Sequence, residues 1–258
     1  MDPAVLRDDM VDSLEHESKG CVRSDAVSVA MRAVPRHEFV ADDRGAYADR
    51  PFERFGTRVL APSTAARLLE ALSPDPDDSV LVVGVGVGYT AAVAAEIVGE
   101  RDVHAIDITR RVVYDARENL ADAGYRGVLV DRRDGADGLP EYAPYDRILL
   151  EAAAVQPPRA LLDQLADDGR LVMPLGTHEQ SLAVVENGDQ RDGRLAAGHG
   201  TVVERLGGVA FQPMLVEGEQ ADTPERNRTR REDREFERRD AERRYGWEQT
   251  WIDWDEHA

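Results

Sequence analysis

The segment Val80-Leu81-Val82-Val83-Gly84-Val85-Gly86-Val87-Gly88-Tyr89 sets three glycines two apart directly behind a short apolar run. Glycine at 84, 86 and 88 permits positive φ and leaves no side chain between the backbone and a ligand. A strand ending at Val83 must turn there into a helix starting near Tyr89, whose unpaired N–H groups face the polar end of a bound molecule. The dinucleotide fingerprint G-x-G-x-x-G would put its third glycine at position 89, where Tyr89 stands. The spacing here disfavours a diphosphate and favours a smaller cofactor with an amino-acid end. Asp107 closes the next apolar run, Val103-His104-Ala105-Ile106, where a carboxylate accepts two hydrogen bonds from a ribose diol. Asp134, in Arg133-Asp134-Gly135 after a third run, is placed to meet an adenine. A glycine turn alone is mere punctuation. Three such signals in order on consecutive strands point to a nucleotide-type cofactor held by Gly84, Val85, Gly86, Gly88, Asp107, Asp134 and Gly135.

These residues need a frame, and the hydrophobic pattern supplies one. Strands are expected at 80–83, 103–106, 128–130, 147–151 and 171–174, with helices at 64–72, 90–98, 111–123 and 159–166 between or before them. Short apolar strands alternating with helices indicate a mostly parallel sheet covered on both faces. After Gly176 the pattern changes to late strands at 182–186 and 201–204 with a turn at Asn187-Gly188, an antiparallel edge. Two helical stretches occupy 4–34, and 35–62 is irregular. A segment that long without periodicity is usually functional. Residues 1–216 are expected to form one domain, with helices and a substrate-side loop in 1–75 and a cofactor-binding core in 76–216. Residues 217–258 form a charged extension in which Trp247, Trp251 and Trp254 recur at i, i+4, i+7, either folding back on the body or docking a partner.

The chain has 258 residues, 51 acidic against 32 basic, for a net charge of −19, and Lys19 is its only lysine. Such a surface suits a cell interior of very high salt, where the Debye length falls to about 3 Å at 1 M and carboxylate repulsion is screened. The charge argues against nonspecific nucleic-acid binding. Cys21 is the single cysteine, which excludes an intrachain disulfide and a multi-cysteine zinc site. Absence of a secretory signal or a bilayer-length apolar run makes the expected location cytoplasmic, away from membranes.

Several stretches together resemble the protein L-isoaspartyl (D-aspartyl) O-methyltransferase family over about residues 5–215: Val34-Pro35-Arg36-His37-Glu38-Phe39-Val40, Ala46-Tyr47-Ala48-Asp49-Arg50-Pro51, the glycine loop, Ala116-Arg117-Glu118-Asn119-Leu120, Asp134-Gly135, residues 139–146 and residues 169–176. The resemblance implies a class I, Rossmann-like S-adenosylmethionine-dependent methyltransferase fold. It also implies methyl transfer from that cofactor to the free carboxylate of isoaspartyl residues in damaged proteins or peptides. His37 belongs to a packing motif and is assigned no proton transfer.

The sequence departs from the family in two places. Val82, Val85 and Val87 stand where the family has a glutamate and hydroxyl residues, and valines are expected to crowd the loop. In the substrate loop Arg58-Val59-Leu60 replaces Thr-Ile-Ser, so the serine position is Leu60 and no catalytic residue is assigned. Thr57, Arg58 and Ser63 remain as substrate-side candidates, Arg58 through a guanidinium fork. The competing reading is a catalytically altered member acting as a cofactor- or partner-binding adaptor. A dehydrogenase is disfavoured by the glycine spacing.

Overall fold

The computed structural model describes residues 2–40, 45–54, 57–187, 200–217 and 224–226. Trp247, Trp251 and Trp254, and the Gly188 half of the expected turn, lie outside the described residues. The chain opens with α1 (Pro3–Glu15) and α2 (Asp25–Ala33). Asp2 caps α1 by accepting the Ala4 N–H at 2.9 Å, and the Ser24 hydroxyl accepts the Val27 N–H at 3.3 Å at the start of α2. Arg32 of α2 reaches Asp12 at 2.6 Å and Glu15 at 3.1 Å on α1, holding the pair side by side.

The region expected to be irregular contains a 3-10 turn at Arg36–Phe39 and a hairpin of β1 (Phe52–Arg54) and β2 (Thr57–Val59). The hairpin is too short for period-two alternation to register in the sequence. Next come α3 (Pro62–Leu72), β3 (Val80–Val83), α4 (Tyr89–Val98), β4 (Val103–Asp107), α5 (Arg110–Asp122), β5 (Leu129–Arg132), β6 (Tyr145–Leu150), α6 (Arg159–Asp163), β7 (Leu165–Leu175), β8 (Gln180–Asn187) and β9 (Gly200–Val209). The helix expected over 159–166 stops at Asp163 because Leu165 already pairs with Tyr145 as the first residue of β7. A small hairpin of β10 (Leu215–Glu217) and β11 (Pro224–Arg226) follows.

The main sheet has the order β5-β4-β3-β6-β7-β8-β9. Strands β3 to β7 are parallel; β8 and β9 run antiparallel, forming the expected edge. Period-two alternation sorts the sheet's side chains into two cores. Val80 and Val82 of β3, with Val103 and Ala105 of β4, join the core under α3, α4 and α5. Leu81, Val83, Ile106, Ile148 and Leu150 face the opposite core, which includes Leu161 and Leu162 of α6. Both faces are therefore covered, as near-continuous apolar strands require.

After β3, β4 and β5 build outward to one side, and the chain then returns to place β6 on the other flank of β3. That reversal opens a crevice at the carboxyl ends of β3 and β6, where open α/β sheets bind ligands.

Arg36 fastens the N-terminal segment to this crevice. It is fully buried, its Nε donates to the Ala46 carbonyl at 2.8 Å, and its Nη2 donates to the Leu60 carbonyl at 2.6 Å. Its guanidinium lies 4.5 Å from the centre of the Tyr89 ring at the start of α4. Replacing it by methionine keeps the bulk but leaves one buried and one half-buried carbonyl without donors, at about 1.5–3 kcal/mol for each charged hydrogen bond. Urea denaturation in molar salt is expected to show Arg36→Met losing about 3 kcal/mol or more; a loss under about 1 kcal/mol would contradict the role assigned to it.

Candidate functional site

The glycine loop is held by backbone rather than by its side chains. The Gly84 and Val85 N–H groups both donate to the Ile106 carbonyl, at 2.8 and 3.1 Å, and the Gly88 N–H donates to the Val85 carbonyl at 2.9 Å. Asn119 of α5, buried, donates its amide to the Val87 carbonyl at 2.9 Å. All three glycines have positive φ: 83° at Gly84, 55° at Gly86 and 93° at Gly88. At Gly88 a β-carbon would sit 3.1 Å from Leu120 Cγ, so this glycine serves the packing of α4 on α5.

A cavity of about 410 Å³ opens beside the loop. Val83 and Gly84 line it from β3, Ile106 and Asp107 from β4, and Leu150 and Glu151 from the end of β6. Gly135 lines it from the loop after β5, Thr57 and Arg58 from β2, and residues 212–215 from the segment after β9. A β-carbon on Gly135 would fall 2.6 Å from Val83 Cγ1 and 3.2 Å from Met214 Cε, so only glycine fits there without a shift.

Of the residues expected to bind a cofactor, Gly84, Asp107 and Gly135 line this cavity. Gly86 lies one step away, its β-position 3.7 Å from the Thr57 hydroxyl. The valines behave differently from the expectation that they crowd the loop. Val85 and Val87 are buried in the core beneath the loop and border only a small hollow shared with Leu60, Tyr89 and Thr90. Asp134 does not line the cavity; its Oδ1 accepts the Ala136 N–H at 2.8 Å and shapes the turn that presents Gly135.

On the substrate side the candidates also separate. Thr57 and Arg58 line the cavity, and Arg58 Nη1 donates to the Ala210 carbonyl at 3.3 Å, which anchors β2 beside the end of β9. The Ser63 N–H instead donates to Asp49 at 3.0 Å, and Ser63 lines none of the cavity wall. Leu60 packs against the main core.

The walls are largely apolar, with two acids set into them. Asp107 accepts the Thr109 N–H at 2.9 Å, and burial pushes its carboxyl above the ordinary range despite that bond and a further one from the Gly86 N–H. Glu151, the acid that sequence reasoning passed over, borders both the cavity and the small hollow. Its Oε1 is buried without a partner. Burial pushes its carboxyl up to about 8, a hydrogen bond with the Thr90 side chain works against the rise, and the nearby Asp107 charge adds to it. The available signal was the one that singled out Asp107, an acid at the carboxyl end of an apolar strand. Gln212, Pro213 and Met214 were also missed. They are fixed through Ala153, whose N–H donates to the Gln212 carbonyl at 2.8 Å and whose carbonyl accepts the Met214 N–H at 2.9 Å.

Arg58 is the one cation among the described cavity-lining residues, too few for a diphosphate. An apolar slot for a ring, an acid for a diol and an acid with one buried, unpartnered oxygen for a positive charge suit a nucleoside carrying an amino-acid end. Fold and cavity together define a class I, Rossmann-like methyltransferase with a mostly parallel sheet and an antiparallel edge.

Comparison with known proteins narrows the class. The family described as Protein-L-isoaspartate(D-aspartate) O-methyltransferase (PCMT) matches residues 7–205. A protein-L-isoaspartate O-methyltransferase of Aeropyrum pernix is 45% identical over 193 residues, covering 72% of each chain. One from Methanopyrus kandleri is 42% identical over 218 residues, covering 82% of this chain and 92% of its own. A Plasmodium falciparum structure described under the same enzyme name, in complex with S-adenosyl-L-homocysteine, superposes with a TM-score of 0.67 at 20% identity, over 81% of this chain and 97% of that one. The chain belongs to the protein-L-isoaspartate (D-aspartate) O-methyltransferase family.

Glu151 carries a stability signature. Its folded value, about 8, lies above the ordinary 4.5, so the folded state keeps a proton that the unfolded chain gives up as pH rises. The protein therefore loses stability between about pH 4.5 and 8 and no more from this group above that. Glu151→Gln removes the loss. Denaturation of the ligand-free protein should show the variant little changed at pH 5 and more stable at pH 9, by on the order of 4 kcal/mol. A difference that does not vary with pH would mean that Glu151 ionises normally.

Proposed function

We propose that this chain methylates the free carboxylate of isoaspartyl residues in damaged proteins, using S-adenosylmethionine. The observation that carries the reading is the single cavity that joins Gly84 and Asp107 on one side to Thr57 and Arg58 on the other, in a chain of this family. When bound, the cofactor supplies a methyl group on a sulfonium, which leaves as a neutral thioether when a carboxylate oxygen attacks the methyl carbon. Gly84 lets the backbone approach the ligand, Asp107 accepts the ribose hydroxyls, and Gly135, on the turn shaped by Asp134, leaves room for the adenine. Arg58 offers its guanidinium to the incoming carboxylate, with the Thr57 hydroxyl beside it. The attacking carboxylate is already ionised at neutral pH, so no side chain has to remove a proton. What the protein contributes is orientation, for which effective molarity supplies about 7–11 kcal/mol.

A second reading is favoured by one observation. Leu60, at the family's serine position, has no hydroxyl and packs against the core, and Ser63 gives both its N–H and its hydroxyl to Asp49, so neither supplies a hydroxyl to the substrate. On that reading the chain binds the cofactor and serves as an adaptor. Its acidic, lysine-poor surface further suggests a salt-rich cytoplasm. No helix among the described residues is long and apolar enough to cross a membrane. Docking of a partner through Trp247, Trp251 and Trp254 is a separate proposal resting on their spacing. A chain ending at Glu217 that keeps its solubility and partners would remove it.

The deciding assay offers labelled S-adenosylmethionine and an isoaspartyl peptide beside its normal aspartyl twin, in molar salt. Transfer to the isoaspartyl peptide alone is expected, and Arg58→Ala should lower kcat/KM by about 10- to 100-fold, chiefly through KM. If the unaltered protein binds the cofactor without transferring, Leu60→Ser combined with Arg58→Thr should bring transfer in where only the substrate loop has drifted, and change nothing where the cofactor loop is also inactive. Measurable cofactor binding with no transfer from the unaltered protein would replace the repair reading with the adaptor.

A further inference from the structure

Among the described residues lining the cavity, Glu151 is the one with a buried side-chain polar atom left without a partner, and neither the glycine loop nor the substrate residues give it a task. Its N–H donates to the Val83 carbonyl at 2.8 Å, which extends the β3–β6 pairing by one residue and fixes Glu151 against Gly84. A β-carbon on Gly84 would lie 3.8 Å from Glu151 Cβ. Glu151 and Asp107 thus stand on opposite flanks of β3, at the ends of β6 and β4. A ligand whose ribose meets Asp107 and whose body crosses Gly84 brings its amino-acid end to Glu151. Residues 80–89 contain no acid of their own. Among the described lining residues, Asp107 and Glu151 are the only carboxylates.

We infer that Glu151 is the site of the cofactor's ammonium group, and that it gives up a proton to solvent as the cofactor enters. The inference rests on the reading of the cavity as an S-adenosylmethionine site. In the empty protein, burial and the neighbouring Asp107 charge keep the Glu151 carboxyl protonated at neutral pH. An ammonium group placed against Oε1 supplies the missing opposite charge, and the carboxyl ionises. The groups facing it from other elements are Asp107 on β4, Arg58 on β2, and Thr90 and Tyr89 on α4. Burial holds the Tyr89 hydroxyl above its ordinary range, so it carries no charge near neutrality. Thr90 already favours the ionised form through its hydrogen bond, and Arg58 borders the same small hollow. The pair forms on an oxygen shielded from solvent, so each ammonium bound displaces one proton, which is countable.

Below about pH 8 the empty site holds the proton that binding must expel, so affinity rises with pH, approaching tenfold per unit. Between about pH 5.5 and 7 the ligand's own amino group stays charged, which makes that window the clean one.

Titration calorimetry of the whole protein at pH 6.5, in buffers of different ionisation enthalpy, counts the proton. Three ligands separate the contributions: S-adenosylmethionine, S-adenosylhomocysteine, and 5′-methylthioadenosine, which has the same ribose and adenine but no amino-acid end. The first two should each release about one proton per site and the third almost none. Glu151→Gln should abolish the release and weaken the first two by at least about tenfold while leaving the third within twofold. Thr90→Val, which removes a bond favouring ionisation, should move the affinity rise to higher pH without reversing it.

Proton release that persists in Glu151→Gln overturns the assignment. So does an equal loss for 5′-methylthioadenosine, which would mean the variant has only reshaped the cavity. A loss confined to S-adenosylmethionine would overturn it too, because the sulfonium would then be the charge sensed. If none of the three binds the unaltered protein, the cofactor reading fails. If they bind with no proton released, this inference fails alone.

Discussion

The site depends on one buried cation. Arg36 comes from the turn after α2, yet its two donated hydrogen bonds end on Ala46 and Leu60, and its flat face lies over Tyr89. It thereby fixes three things at once: the segment after the first helices, the end of the β1–β2 hairpin, and the first residue of the helix behind the glycine loop. Taking a guanidinium out of water costs several kcal/mol unless its donors are met. The fold meets two of them with carbonyls of the very segment that must be positioned. That segment carries Thr57 and Arg58, and a displacement of 1 Å between a nucleophile and the atom it attacks costs about 100-fold in rate. The expensive interaction stands where misplacement would cost most.

The charges at the cavity form a second constraint. A donor with a positive sulfonium and an acceptor with a negative carboxylate have to meet in a chain whose net charge is −19. Two ionised acids beside the acceptor would repel it. Asp107 is tied down by the N–H groups of Thr109 and Gly86, and Glu151 is neutral until a cation arrives, so the empty cavity is less negative than its composition suggests. Arg58 is then the one cation among the described residues that line the cavity. At molar salt an outer surface is screened within about 3 Å, whereas buried pairs are reached much less. The site's electrostatics are therefore local.

Much of this was legible in the sequence, for definite reasons. Strand β3 ends at Val83 and β4 at Asp107 because buried parallel strands are short apolar runs with abrupt edges, and an edge is visible. The antiparallel pair β8 and β9 was visible as a change of rhythm after Gly176. The β1–β2 hairpin was not, since three residues on each side give alternation nothing to repeat over. Leu165 falls within the expected helix because its apolar character fits helix and strand alike, and only its pairing with Tyr145 decides. Ser63 has the right hydroxyl at the right distance along the chain, but Asp49, fourteen residues earlier, takes both its N–H and that hydroxyl.

The valines of the glycine loop show where pattern stops and geometry begins. Residue types say what a side chain can offer, but in a turn they do not say which way it points. Val85 and Val87 point down into the core, so the absence of hydroxyls there takes nothing from the cavity wall and adds apolar contact beneath the loop. The polar work falls to the backbone, to Asn119 holding the Val87 carbonyl, and to acids on the flanking strands. An acid on β3 itself would have to share the core that Val82 fills, whereas Glu151 reaches the same space from β6 with its N–H already paired to Val83. The loop can therefore be wholly apolar and still border a site that recognises charge, because strands on both sides of β3 end in carboxylates.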